Sequence, residues 1–293
     1  MKKLLLIINP RAGTLKANKY LADIIGVFNR GGYDVTAYVT KARGDAARVA
    51  RERAKEVDLI VCCGGDGTFN ETVSGLLESG ERTPIGYIPC GSTNDFAHTL
   101  GLPSDVVEAA IRIVRGKPRA LDIGRFGERY FSYVASFGAF TKTSYATSQT
   151  VKNALGHMAY LLGGVKELTH LQSEHVRMKL DGKVMDGYYL FGAICNSTSI
   201  GGVLKLDPSR VDLSDGKFEI LLVRAPKDFE EVKECVRAVM DHSFNCRMMT
   251  FLSARDITVC ANPDMNWTLD GEMAQGVKKL RVENLHRAIR LVR

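Results

Sequence analysis

The stretch Leu59-Ile-Val-Cys-Cys-Gly-Gly-Asp-Gly-Thr-Phe-Asn-Glu71 runs from five apolar residues into a glycine-rich turn. It then enters Thr68–Glu78, whose apolar spacing is helical. A short, wholly apolar run is what a strand covered on both faces requires, so the stretch predicts a βα corner of a parallel sheet. The same unit recurs on either side. Leu4–Ile8, Tyr33–Thr40 and Pro84–Pro89 read as strands. Leu15–Arg30, which stops at Gly31-Gly32, reads as a helix, as do Asp45–Glu56, a segment from near Asn94, and Asp105–Arg115. Repeated βα units of this kind predict a doubly wound parallel sheet, in which ligands bind beyond the carboxyl ends of the strands.

Past Lys117-Pro118 the pattern changes. Short strand-like runs dominate, punctuated by Asp-Gly pairs at 181–182, 215–216 and 270–271. Val176–Leu180, Asp181-Gly182 and Lys183–Met185 together signal a hairpin, because Asp-Gly suits a turn with positive φ. Lys217–Val223 reads as a strand, and Ser148–Leu171 and Asp228–Asp241 as inserted helices. The expected fold class is therefore α/β plus β-rich. Residues 1–120 form a doubly wound parallel-sheet nucleotide domain, and residues 121–293 form an antiparallel β-sandwich-like domain with inserted helices. The extreme C-terminal residues are free to return to the first domain.

The 293 residues are 45% apolar and 25% charged, which excludes a disordered chain. Forty basic and 33 acidic residues leave a formal charge of +7. The excess is spread evenly, +4 over residues 1–120 and +3 over the rest, with no run of five like charges. That distribution argues against a nucleic-acid-binding arm. No segment approaches the roughly 20 apolar residues of a membrane span. The apolar run Leu4–Ile8 is too short for a secretory signal. Seven cysteines without a C-x-x-C pair read as buried, reduced thiols. A cytoplasmic protein is expected.

Three loops follow strands one, three and four: Asn9-Pro10-Arg11-Ala12-Gly13, Gly64-Gly65-Asp66-Gly67-Thr68-Phe69-Asn70-Glu71, and Cys90-Gly91-Ser92-Thr93-Asn94-Asp95-Phe96. Glycines let a backbone approach an anion closely, and a following helix N-terminus favours negative charge. A single such loop also serves merely as a tight corner, but three at the same sheet edge point to phosphate. Asp66 would repel phosphate unless a cation intervened, and Mg²⁺ bridging carboxylate and phosphate oxygens is the natural solution. Neither a G-x-x-x-x-G-K-[ST] loop nor a G-x-G-x-x-G fingerprint is present, and no histidine lies in an H-E-x-x-H arrangement. His157, His170, His175 and His242 read as surface or core residues.

Gly64-Gly65-Asp66-Gly67-Thr68 with Asn70-Glu71 resembles the hallmark of the diacylglycerol kinase catalytic-domain superfamily, which includes bacterial soluble lipid kinases, sphingosine kinases and, more distantly, NAD kinases. The likeness extends in order along the chain. Asn9–Gly13 is similar to the first nucleotide loop, and Gly91–Phe96 to the G-T-x-N-D-[FL] loop, with Ser92 replacing the usual Thr. Asp122-Ile-Gly-Arg resembles the entry to the second domain. Asp212-Leu-Ser-Asp215-Gly216-Lys217-Phe218 resembles the D-D-G strand opener, with Ser214 where an acid is common. Asp270-Gly271-Glu272 resembles the late D-G-E motif.

The resemblance implies an ATP-dependent lipid kinase of the bacterial branch, making phosphatidic acid from diacylglycerol with the nucleotide in an interdomain cleft. It implies ATP contacts from Asn9, Pro10, Arg11, Ala12, Gly13, Thr40, Gly64, Gly65, Asp66, Gly67, Thr68, Phe69, Asn70 and Thr93. Asp66 would serve the catalytic Mg²⁺ through water, and Glu272 would be the general base. A second Mg²⁺ would sit at Asp212, Asp215 and the Lys217 backbone, with its affinity open because of Ser214. Alternatives are a kinase for sphingosine or a glycolipid, NAD kinase, and a noncatalytic nucleotide- or lipid-binding regulator.

Residues 139–179 carry five basic and two acidic side chains, which suits contact with an anionic bilayer. Ser148–Leu171 reads either as an amphipathic element on lipid or as a helix packed on its own sheet. The expected partners are thus a lipid substrate at an anionic membrane surface, reached peripherally, and no nucleic acid. Homodimers occur in such kinases, but the sequence carries no separate dimer signal.

Overall fold

A computed structural model of the chain describes residues 1–13, 16–138, 173–200, 204–206, 211–241 and 243–293. The expected helix Ser148–Leu171, with His157 and His170, and also His242, lie outside the described residues. The chain divides into two compact units, Met1–Ile123 with His286–Arg293, and Gly124–Leu285.

The first unit is built on parallel strands β1 (Lys2–Ile8), β2 (Tyr33–Val39), β3 (Leu59–Gly64) and β4 (Ile85–Pro89), in the order β2-β1-β3-β4. The helices between them are α1 (Lys16–Lys19), α2 (Leu21–Arg30), α3 (Asp45–Arg53) and α4 (Asp66–Ser79), followed by α5 (Asp95–Thr99) and α6 (Val106–Arg115). The alternation of side chains along a strand explains the apolar runs. Leu4, Leu6, Ile8, Val61 and Ile88 pack on α2 and α6. The intervening residues Leu5, Ile7, Ile60, Cys62 and Tyr87, also buried, turn to the opposite face, where α4 packs on β3 and β4. The sheet is therefore covered on both sides, as the βα alternation predicts.

Two local expectations are corrected. The helix expected over Leu15–Arg30 is broken at Tyr20, whose φ of −109° and ψ of 15° leave the helical region. Spacing alone did not reveal the break, because Tyr20 and Leu21 still pack on the same core. Helix α4 starts at Asp66 rather than Thr68. Gly67 read as loop because glycine weakens a helix interior. At the first turn that cost is small, and Asp66 complements the helix dipole there.

Strand β5 (Pro118–Phe126) carries the chain into the second unit, and β17 (Lys279–Val292) brings it back, so that Leu291 pairs in parallel with Ile85. Asp122, wholly buried, accepts the Arg287 backbone N–H at 2.6 Å and lies 3.2 Å from His286 Nδ1. The acid of the Asp122-Ile-Gly-Arg segment thus ties the first unit's two crossing strands together.

The second unit is antiparallel. Its strands are β6 (Arg129–Phe131), β7 (Val134–Gly138), β8 (Glu174–Leu180), β9 (Lys183–Cys195), the short pair β10 (Ser199–Ile200) and β11 (Leu204–Lys205), β12 (Phe218–Arg224), β13 (Met249–Ala254), β14 (Asp256–Ala261), β15 (Trp267–Leu269) and β16 (Glu272–Ala274). Helix α7 (Phe229–Met240) lies between β12 and β13, with Asp228 capping its N-terminus. The first half of β9 pairs with β8, and its second half pairs with β7 on one side and β12 on the other. One long strand thus serves two layers, which close over Phe131, Phe137, Met178, Ile220, Trp267 and Val282. Trp267 sits 4.9 Å, ring centre to ring centre, from both Phe126 and Phe137. The Asp181-Gly182 hairpin forms as expected, with φ of 47° and 87°.

Candidate active site

The three glycine-rich loops of the first unit meet at the carboxyl ends of β1, β3 and β4. Backbone bonds tie them there: Asn9 N donates to Cys63 O at 2.9 Å, and Cys90 N to Gly64 O at 2.7 Å. Asn9 is a crosslink. Its Nδ2 donates to Thr68 Oγ1 at 2.9 Å, and its Oδ1 accepts the Arg11 N–H at 3.0 Å. Gly13 has φ +51°, and a Cβ there would run into the Cys90 carbonyl. A Cβ on Gly91 would stand 2.8 Å from Gly65 Cα. The glycines at 13 and 91 are thus required by the close approach of the loops at the sheet edge. Asn94, at φ 52°, closes the third loop by accepting from Gly91 N and donating to Gly91 O. Thr93 is exposed on that turn.

Thr40 joins this edge, its N–H donating to Ile8 O at 2.8 Å. The Phe69 ring does not face it: Phe69 is fully buried, 4.6 Å from the Tyr87 ring and 5.6 Å from the Phe96 ring. Asn70 is also buried.

Asp66 opens α4 with its carboxylate turned inward. Tyr87 Oη donates to Asp66 Oδ1 at 3.1 Å, and the backbone N–H groups of Asp95 and Phe96 also donate to it. Burial, reinforced by the neighbouring Asp95 carboxylate, pushes the Asp66 carboxyl up to about 6 against the pull of those donors. Asp95 is itself buried, and burial raises its carboxyl as well. Two neighbouring acids that repel each other, Asp66 half-buried and Asp95 buried, fit a divalent cation, which would relieve both. Among the described residues no group of three or more His, Cys, Asp or Glu side chains could hold a metal. A cation held by these two carboxylates would keep most of its water, as Mg²⁺ does.

In the second unit Asp270 and Gly271, at φ 49° and 85°, form the two-residue turn between β15 and β16. Asp270 is buried and accepts three backbone N–H groups, from Ser132, Tyr133 and Val134. That anchor fixes the turn from which Glu272 projects, half-buried. Glu272 Oε2 lies 3.3 Å from Arg129 Nη2, and Arg129 Nη1 donates to Met273 O at 2.6 Å.

The strand opener before β12 is a pair of turns. Asp212 Oδ1 accepts from Ser214 N and Oγ, both at 2.9 Å, and Asp215 Oδ1 accepts from Lys217 N at 2.9 Å. Asn284 Nδ2 donates to Lys217 O at 2.9 Å. Two positions further on, Glu219 is 2% exposed, and its Oε2 has no hydrogen-bond partner. Burial, then the charges of Asp215 and Asp212, push Glu219 up to about 7. Its Oε1 accepts from Ser253 Oγ at 3.3 Å, and the unpaired Oε2 beside two further acids fits a hydrated cation.

Sequence reasoning missed Tyr87, Asp95, Arg129, Asp270 and Glu219 as parts of these constellations. Asp95 and Asp270 stood inside quoted motifs, and buried acids adjoining Asp-Gly or Asn-Asp turns were the available signal. Tyr87, Arg129 and Glu219 gave none, since each depends on pairing across elements.

Glycine-rich loops gathered around a half-buried acid are suited to handling phosphate, and the chain is an ATP-using kinase of two units, one α/β and one β-rich. It belongs to the diacylglycerol kinase catalytic-domain family. Residues 3–126 match the diacylglycerol kinase catalytic domain, and residues 134–293 match the YegS C-terminal NAD kinase beta sandwich-like domain. A Bacillus subtilis (strain 168) protein named diacylglycerol kinase is 34% identical over 100% of this chain and 96% of its own length. A Staphylococcus epidermidis protein of the same name is 33% identical over 92% and 86%. A solved Bacillus anthracis str. Sterne structure described as a diacylglycerol kinase has a TM-score of 0.75 at 24% identity, covering 99% of this chain and 96% of its own. A second structure from that organism reaches 0.82. These structural likenesses bear on the fold alone. No helix among the described residues is long and apolar enough to cross a membrane.

Proposed function

We propose that this lipid kinase transfers the γ-phosphoryl group of ATP to the hydroxyl of diacylglycerol, giving phosphatidic acid. The observation that carries the choice of lipid is the match, over essentially the whole of both chains, to a Bacillus subtilis protein named diacylglycerol kinase. The convergence of the three loops supports Met1–Ile123 with His286–Arg293 as the ATP-binding part, and Gly124–Leu285 is then the lipid-substrate part.

In this reading Asn9–Gly13, Thr40, Gly64–Asn70 and Thr93 contact the nucleotide. Phe69 does so through its backbone alone, since its ring is core. Backbone N–H groups of the loops hold phosphate oxygens, and the crosslink from Asn9 to Thr68 keeps two loops at a fixed spacing. Asp66 holds a cation through water, with Asp95 beside it. When bound, Mg²⁺ supplies charge neutralisation on the phosphates. Glu272 takes the proton of the attacking hydroxyl, a role worth roughly 10²–10⁴-fold in general, while Arg129 and the Asp270 anchor orient it. Asp212, Asp215 and the Lys217 backbone hold a second, structural Mg²⁺.

Access to the lipid is proposed to be peripheral, at an anionic surface, by a chain able to form a homodimer. The +7 charge supports this.

The test is labelled ATP with Mg²⁺ against diacylglycerol, sphingosine, a glycolipid and NAD. Labelled phosphatidic acid is expected, and labelled NADP without labelled lipid would overturn the reading. Glu272→Ala should abolish turnover while ATP binding persists, and wild-type turnover in Asp66→Ala or Glu272→Ala would refute the roles given to them.

A further inference from the structure

We propose that Tyr87 is a positioning residue for the reaction, holding the Asp66 carboxylate so that one lone pair is presented to the nucleotide's hydrated cation. The inference rests on the reading of Asp66 given above.

Strand β4 reads Ile-Gly-Tyr-Ile-Pro, and each of these residues is buried. Tyr87 is 1% exposed. A phenylalanine would fill the same space without burying a hydroxyl, and a buried phenol needs a partner. The partner is Asp66 Oδ1, 3.1 Å away. The ring cannot swing away from it. It is stacked at 4.6 Å on Phe69 of α4, which in turn contacts Phe96 of α5 at 5.6 Å. The hydroxyl is therefore aimed by the same two helices that supply Asp66 and its backbone donors.

The lone pairs can be accounted for. An ionised carboxylate offers about four acceptor sites. Tyr87 Oη and the N–H groups of Asp95 and Phe96 occupy three. One remains, which suits contact with a cation through a single water rather than direct bidentate ligation. Without the phenol, the carboxylate can rotate and offer either oxygen.

The experiment compares wild type, Tyr87→Phe, Asp66→Asn and the double variant. Binding of ATP is measured by calorimetry with and without Mg²⁺, alongside kcat and KM. A hydrogen bond to a charged group is worth about 10-fold or more in an equilibrium. Tyr87→Phe is expected to stay folded, melting a few degrees below wild type because the bond to the carboxylate is lost, and to bind ATP alone with unchanged affinity. It should lose about 10-fold of the affinity that Mg²⁺ adds, and kcat should fall by a similar factor with KM for ATP within about twofold. In the Asp66→Asn background the same change should do nothing further. Calorimetry keeps that arm readable if Asp66→Asn is inactive. Unchanged Mg²⁺ linkage and kcat in a well-folded Tyr87→Phe would overturn the proposal, as would an equal loss in both backgrounds. Wild-type Mg²⁺ linkage and turnover in Asp66→Asn would instead refute the role of Asp66, and the proposal would fall with it.

Discussion

Replacing Asp270 by Ala should cost the second unit more stability than any surface change in the chain. The carboxylate is buried and accepts N–H groups from Ser132, Tyr133 and Val134. Hydrogen bonds to a charged group contribute about 1.5–3 kcal/mol each, and removing a shared acceptor strands three donors at once. Such losses are not additive, so the sum overstates the effect. Alanine must also adopt the positive φ of 49°, which costs roughly 1 kcal/mol. The expected total is about 3–5 kcal/mol. Asp270→Asn keeps one acceptor oxygen for Tyr133 and Val134 but turns an amide N–H₂ toward Ser132 N, so it should lose roughly half as much. The chain has one tryptophan, Trp267, three positions before Asp270 and inside the second unit's core. Its fluorescence therefore reports that unit in urea. With a slope of about 2 kcal/mol/M, Asp270→Ala should lower the midpoint by roughly 1.5–2.5 M, and Asp270→Asn by about half that. A midpoint for Asp270→Ala within about 0.2 M of wild type would refute the anchoring argument.

Further outcomes follow from other sites. Glu219 is pushed up to about 7 from an ordinary 4.5, so between those values the folded state holds a proton that the unfolded chain has released. Stability of the second unit in chelator should then be greatest below pH 4.5 and fall by roughly 2–3 kcal/mol as pH rises through 7. The Trp267 urea midpoint should show this slope, and Glu219→Gln should flatten it. If Asp212, Asp215 and Lys217 hold Mg²⁺, saturating Mg²⁺ at about 100 times Kd should stabilise the same transition by about 2.7 kcal/mol, and Asp215→Ala should abolish the gain. Gly13→Ala should weaken ATP binding at least 10-fold by calorimetry, because the added Cβ drives the first loop off the Cys90 carbonyl. Vesicle binding should require anionic lipid and decline steeply with added salt, whereas binding indifferent to both would return the +7 charge to an ordinary enzyme surface.

The parallel sheet was legible because its strands are buried on both faces. Leu4–Ile8 and Leu59–Cys63 had to be continuously apolar, and that requirement shows in one dimension. The hairpins at Asp181-Gly182 and Asp270-Gly271 were legible for a similar reason, since few residue pairs tolerate two successive positive φ angles. The three loops could be grouped from their place after strands one, three and four. Helix boundaries were less visible. The break at Tyr20 and the start of α4 at Asp66 depend on how the segment packs, and helical spacing does not encode that.

The sequence by itself determined the class of fold, the glycine-rich loops and the Asp-Gly turns, because glycine, Asp-Gly and apolar runs are local requirements of the backbone. Only the tertiary structure decided what each acid faces. Asp66 meets Tyr87 from a neighbouring strand, Asp270 meets a backbone segment more than 130 positions earlier, and Glu219 is buried beside Asp215. The proton affinity and orientation of a carboxylate depend on charges and donors within a few ångströms, and chain folding brings those together from positions that carry no mark in sequence.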